Sequence, residues 1–210
     1  MPRQQTTLRF VTRFEIQSFA AKFDEPGGRS GPYAKRPFNA GLVLVDADSR
    51  PRPVLAETLP QLNTASWQVS PDGRMETTYS LRPNLTWHDG AALTADDFVF
   101  AWRVYRSPAL PFSKKPQDLV DSVAATDPRT LLVRWSAPFS DAGSLTSELF
   151  DPLPAHLLRD TFDAAGQEGG SAESFINLPF WSTAYVGAGP FRLDRRELGA
   201  FRMDDQITGA

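Results

Sequence analysis

The chain has 210 residues, room for one large domain or two small ones. Its 41% hydrophobic and 22% charged content supplies a core and excludes general disorder. A net charge of −3, with the basic residues scattered, argues against a phosphate-binding face, and the absence of cysteine excludes disulfides, a thiol nucleophile, thiolate zinc sites, iron–sulfur clusters and a lipid-modified cysteine in this form. Glycine and proline are not repeated with any period, but 18 prolines predict loops, extended segments and turns rather than a helical bundle. No apolar run approaches a membrane helix, and the polar opening Met1–Gln5 has no signal-peptide core, so the sequence as it stands predicts a soluble chain without an export signal.

In chain order, Thr7 to Phe14 alternates as a half-buried strand does, with Leu8 and Phe10 opposite Arg9 and Arg13. Asp24 to Pro37 is a glycine- and proline-rich approach to a short helix, followed by a short buried strand over Leu42–Val45. Trp67 and Val69, the turn Ser70-Pro71-Asp72-Gly73, and then Thr77, Tyr79 and Leu81 spell a β-hairpin. After the turn Trp87-His88-Asp89-Gly90, Thr94 is placed to cap a helix to Tyr105, with Asp96 and Asp97 in its first turn and Phe98, Ala101, Trp102 and Tyr105 at helical spacing. Leu119, Val120 and Val123 mark a helix or extended segment, Asp127-Pro128-Arg129 a turn, and Thr130–Trp135 a strand. Pro154 to Arg159 reads as a short helix, Asp163 to Ser174 as a polar flexible insertion, and Phe191–Leu193 as a strand after the break at Gly187-Ala188-Gly189-Pro190.

The sequence is poor in catalytic patterns. Its two histidines, His88 and His156, fall in no metal-binding spacing, and a nucleophile elbow, a phosphate loop and a complete dinucleotide fingerprint are all missing. Neighbouring residues on a helix point about 100° apart, so Asp96 and Asp97 read as helix-start acids rather than paired catalytic carboxylates. His88 reads as a turn residue and Arg195-Arg196 as solvated surface. The aromatics read first as core. Phe14, Phe38, Phe112, Trp181 and Tyr185 stand beside loop residues and are the candidates for a cleft wall.

One string of motifs goes further. Leu55-Ala56-Glu57, Trp67–Gly73, Thr78–Arg82, Trp87–Gly90 and Leu93–Trp102 occur in order, followed by Asp127–Trp135 with Ala137-Pro138-Phe139, and by Gly187–Leu193. The string resembles the family 5 extracellular solute-binding proteins of bacterial ABC importers, the peptide- and nickel-binding group. The resemblance implies an α/β (mixed α+β) chain. It would form the N-terminal lobe of a two-lobed periplasmic-binding-protein-like fold, a mixed sheet with flanking helices, with the second lobe missing. Residues 1–50 and 151–210 would form the first lobe's main-sheet region and residues 51–150 its accessory subdomain. It also implies a non-enzymatic, extracytoplasmic protein that needs no cofactor. Such a protein holds a peptide-like or small polar solute between lobes that close by a hinge, and delivers it to permease subunits. By the same resemblance the loop after the first strand, Phe14 and Glu15, faces the cleft, and Phe112, after Pro111, stands at its edge with Phe in place of the usual Tyr. A fragment or interaction module that self-associates through exposed sheet edges is the alternative.

Overall fold

A computed structural model of the chain describes residues 15–23, 32–197 and 200–205. The strand expected over Thr7–Phe14 lies outside them. Helix α1 (Pro32–Lys35) runs directly into a 3-10 turn over Arg36–Phe38. Strands β1 (Val43–Val45) and β2 (Pro51–Pro53) then form a small antiparallel pair. The expectation of a buried strand here is corrected. Leu42 and Val43 are buried, but Leu44 and Val45 are 45% and 39% exposed, because among the described residues β1 has only β2 beside it.

The hairpin forms as its turn chemistry dictates. Strand β3 (Trp67–Val69) pairs with β4 (Met75–Ser80) around Gly73, whose φ of +85° is the left-handed value that only glycine adopts without strain. Helix α2 (Ala95–Arg106) follows, then β5 (Val120–Asp127) and β6 (Thr130–Trp135). The four strands make an antiparallel sheet in the order β3-β4-β6-β5. Its register sets Met75, Thr77 and Tyr79 opposite Trp135, Val133 and Leu131, all buried on the inner face. On the outer face Glu76 lies opposite Arg134 and pairs with it at 2.7 Å. The segment read as helix or extended resolves into a 3-10 turn, Gln117–Leu119, that opens β5.

Helix α2 covers the inner face of this sheet and is itself covered by α3 (Ser147–Phe150) and α4 (Ala155–Ala165), so its apolar residues are not confined to one stripe. Phe98 meets Phe150 edge-on at 5.5 Å, and Phe100 meets Phe162 at 5.6 Å. Helix α4 is longer than expected: it continues through Ala165, and with α5 (Ala172–Ile176) it takes up much of the stretch read as flexible insertion. Strand β7 (Phe191–Glu197) pairs with β8 (Ala200–Asp205), a strand the sequence reading does not contain. No helix of the described residues is long and apolar enough to cross a membrane.

The motif string is scaffold made visible. Glu57 and Arg129, from two separate motifs, pair at 2.9 Å, and Arg129 also donates to the Leu81 carbonyl at 2.8 Å. Turn, hairpin and strand end are thereby tied at one corner.

Candidate functional site

Segment 15–23 lies against four of the expected site residues, Phe38, Phe112, Trp181 and Tyr185. Phe19 donates its N–H to the Trp181 carbonyl at 3.0 Å, and Asn39 Nδ2 donates to the carbonyls of Phe19 and Lys35 at 2.8 and 2.7 Å. The Tyr185 hydroxyl closes the loop by donating to Asn39 Oδ1. Around this frame the rings form one chain. Phe38 packs edge-on against Phe19 at 4.7 Å, Phe19 lies 6.0 Å from Tyr185, and Tyr185 lies 5.2 Å from Phe180. Phe180 then meets Trp181 at 4.8 Å, and Trp181 meets Phe112 at 5.2 Å.

Phe38, Phe112, Trp181 and Tyr185 are therefore neighbours in a single layer, and all four are buried. Glu15 is exposed at its margin, with Arg196 Nη2 3.5 Å away. Phe14 lies outside the described residues. Arg196 is not the solvated residue expected. Its two terminal nitrogens donate to the carbonyls of Ile16 and Gln17, and its guanidinium sits 5.9 Å from the centre of the Phe19 ring, so it fixes segment 15–19 against β7.

Beneath the rings lies a buried polar group that sequence reasoning missed. Lys22 Nζ donates to the carbonyls of Lys115 and Glu148 at 2.7 and 3.3 Å and stands 5.2 Å from the centre of the Tyr105 ring. The Tyr105 hydroxyl donates to the Asp151 carbonyl at 2.9 Å. Burial pushes the Asp151 carboxyl well above the usual carboxylate range, against the pull of the Lys22 charge. Burial, reinforced by Asp151, raises the phenols of Tyr105 and Tyr185 as well. Asp151 Oδ1 and Gln117 Oε1 find no hydrogen-bond partner among the described residues. A lysine and an aspartate isolated in sequence carry no signal of burial, so nothing in the pattern marked them.

Both histidines are held by structure. His88 Nδ1 accepts the Gly187 N–H at 3.2 Å and Nε2 meets the Gly189 carbonyl at 2.8 Å, so the ring is half-buried between two turns rather than a free turn residue. His156 Nε2 meets Asp89 Oδ2 at 2.7 Å. Neither His88 nitrogen is left over to serve as a general base. Among the described residues no three His, Asp or Glu side chains gather as a metal site would need. A separate cavity of about 280 Å³ opens between α2, α4 and α5, beside the Arg103–Asp163 ion pair, and none of the five expected site residues among those described lines it. What the aromatic end offers is a packed layer of rings whose polar tips are bonded inside the protein.

The description "Bacterial extracellular solute-binding proteins, family 5 Middle" matches residues 57–203. The dipeptide-binding protein DppE of Bacillus subtilis is 28% identical over 210 aligned residues, covering 89% of this chain and 33% of DppE. The periplasmic oligopeptide-binding protein OppA of Haemophilus influenzae is 30% identical over 143 residues, covering 59% of this chain and 25% of its own. Among solved structures, the oligopeptide-binding protein of Thermus thermophilus complexed with a pentapeptide superposes with a TM-score of 0.73 at 20% identity, over 90% of this chain and 34% of that one. NikZ of Campylobacter jejuni in complex with Ni(L-His) gives 0.70 at 20% identity, over 92% and 34%. The chain thus spans about a quarter to a third of the length of these relatives and shares the fold of part of a two-lobed binding protein. With the family match covering well over half of its residues, the chain belongs to the bacterial extracellular solute-binding proteins of family 5.

Proposed function

We propose that this chain supplies the first-lobe part of a substrate-binding component of an ABC importer. It acts outside the cytoplasm, captures a peptide-like or small polar solute between two lobes and hands it to a membrane permease. It catalyses no reaction. The family match over residues 57–203 carries this reading, and the names of DppE and OppA, a dipeptide- and an oligopeptide-binding protein, support the peptide-like class. Residues 1–50 and 151–210 take the part of the main-sheet region and residues 51–150 that of an accessory subdomain. By the family resemblance, Phe14 and Glu15 follow the first strand and face the solute. Phe38, Phe112, Trp181 and Tyr185, buried in the chain by itself, are the further ligand candidates.

Tryptophan fluorescence tests the reading, because Trp181 lies within the aromatic layer. The chain is titrated with di- to pentapeptides and small polar solutes, alone and in a protein that also carries a second lobe. Saturable change only in the two-lobed protein is expected. Tight saturable binding by the 210-residue chain alone overturns the shared-site claim, and no binding of any peptide by the two-lobed form overturns the solute class. The second reading, self-association, has one observation in its favour: the exposed Leu44 and Val45 on β1. Light scattering that shows a clean monomer at high concentration removes it.

A further inference from the structure

We propose that His88 is an acid-released latch on the backbone crossing at Gly187–Pro190. The crossing is clasped from two sides. Gly189 donates its N–H to the Phe38 carbonyl at 3.0 Å, while the His88 N–H donates to the Gly187 carbonyl at 3.0 Å. The imidazole completes the clasp, with Nδ1 facing the Gly187 N–H and Nε2 facing the Gly189 carbonyl. A backbone N–H only donates and a carbonyl only accepts. The ring is therefore neutral, with its single proton on Nε2. A second proton has one place to go, Nδ1, where it meets the Gly187 N–H donor head-on. Protonation thus cannot occur without breaking that bond.

The charges around the ring favour the neutral, latched form near neutrality. Burial holds the His88 imidazole below its ordinary value of 6.5, and the Arg192 guanidinium on β7 pushes the same way. The Gly189 carbonyl and Asp89 in the same turn pull against them. Asp89 is itself engaged by His156 of α4, so its carboxylate is shared between the two histidines. Tyr185 lies two residues before the crossing and holds Asn39, so release of the crossing reaches the aromatic layer. The latch stands on the His88 geometry alone; its effect on a bound solute rests on the proposed function.

Hydrogen exchange read by mass spectrometry over peptides spanning residues 184–191 tests it, with rates corrected for the intrinsic pH dependence. In the wild-type chain, protection of these peptides is expected to fall roughly tenfold as pH drops through and below 6.5, the loss of about one hydrogen bond, while the β4 and β6 peptides keep theirs. His88→Gln offers one acceptor and one donor and does not titrate, so its protection stays flat with pH, whereas His156→Gln keeps the wild-type fall. Wild-type protection that does not change with pH, an equal fall in His88→Gln, or an equal fall across the sheet overturns the latch. Should His88→Gln fail to fold, the ¹⁵N spectrum of the wild-type imidazole decides: the Nε2–H tautomer at neutral pH supports the latch and the Nδ1–H tautomer overturns it. No solute enters these measurements, so their failure leaves the transport reading standing.

Discussion

The indole Nε1 of Trp87 donates to Asp97 Oδ2 at 3.3 Å, inside the protein, and that contact ties the start of α2 to the turn before it. The same oxygen accepts the Thr94 N–H at 2.9 Å, and Oδ1 accepts the Ala155 N–H at 3.0 Å at the first residue of α4. Pro154 precedes α4 and has no side-chain acceptor, so a carboxylate from another helix takes over the duty of its missing cap. Burial raises the Asp97 carboxyl, and the three hydrogen bonds counter it. Replacing Asp97 by Ala leaves three donors unpaired and should cost about 3–5 kcal/mol in chemical denaturation. Asp97→Asn restores the shape but turns an amide N–H toward a donor, so it should recover only part of the loss. An Asp97→Ala protein within about 1 kcal/mol of wild type would show that water replaces the cap.

Backbone approach, rather than backbone conformation, fixes the glycines of the crossing. A Cβ on Gly187 would land on the Phe38 carbonyl oxygen, and one on Gly189 would press against the Phe38 and Asn39 backbone. Neither atom is the tip of a flexible side chain, so neither can swing aside. Gly189→Ala should therefore destabilise the chain by more than about 2 kcal/mol and expose Asn39 and Tyr185 to exchange. A change below about 0.5 kcal/mol would mean that the crossing sits farther from Phe38.

Trp181 separates packing from recognition. Its ring is buried among Phe112, Phe175 and Phe180, and its Nε1 donates to the Phe175 carbonyl at 2.6 Å. Trp181→Ala should cost about 3–5 kcal/mol, the cavity cost of a large core aromatic, with or without any solute. Phe112→Leu, which keeps most of the volume, should cost under about 1.5 kcal/mol. If Trp181→Ala instead leaves stability unchanged, the ring is not core, and its place in the layer must serve a ligand directly.

What the sequence made legible is local. Thr94 with Asp97 three residues on, Phe98 with Ala101 and Tyr105, and Pro71-Asp72-Gly73 are signals that depend on their nearest neighbours, and α2 and the β3–β4 hairpin follow from them. The long-range partners were not legible. His88 is clasped by residues about a hundred positions away, and nothing near it in sequence announces Gly187. Lys22 and Asp151 are of residue types that usually lie at the surface, whereas the fold buries both. Strand β8 escaped because its only apolar alternation is Phe201 and Met203, too short to count without its partner β7. Phe38, Phe112, Trp181 and Tyr185 are buried neighbours, yet they pack against segment 15–23, whose course no local pattern reports.

The Asp89–His156 pair gives the chain a second loss of stability in acid, at lower pH than that of His88. Burial of Asp89 opposes its ionisation. The His156 hydrogen bond and the Ala91 N–H outweigh that and hold the carboxyl below its ordinary value of 3.8. The unfolded chain therefore binds the proton first, and the stability this pair contributes is present above pH 3.8 and fades as pH falls through the lower folded value. Both side chains are about one-third exposed, so the contribution is under about 1 kcal/mol. His156→Ala should lower the midpoint of urea unfolding slightly at pH 5 to 6, by no more than about 1 kcal/mol, and the difference from wild type should vanish in strong acid. His88 works in the same direction, because its protonation breaks the Gly187 N–H bond. The double replacement should therefore have a flatter stability profile between pH 4 and pH 7 than His156→Ala alone. A double variant as steep as His156→Ala would show that His88 does not govern the acid response in that range.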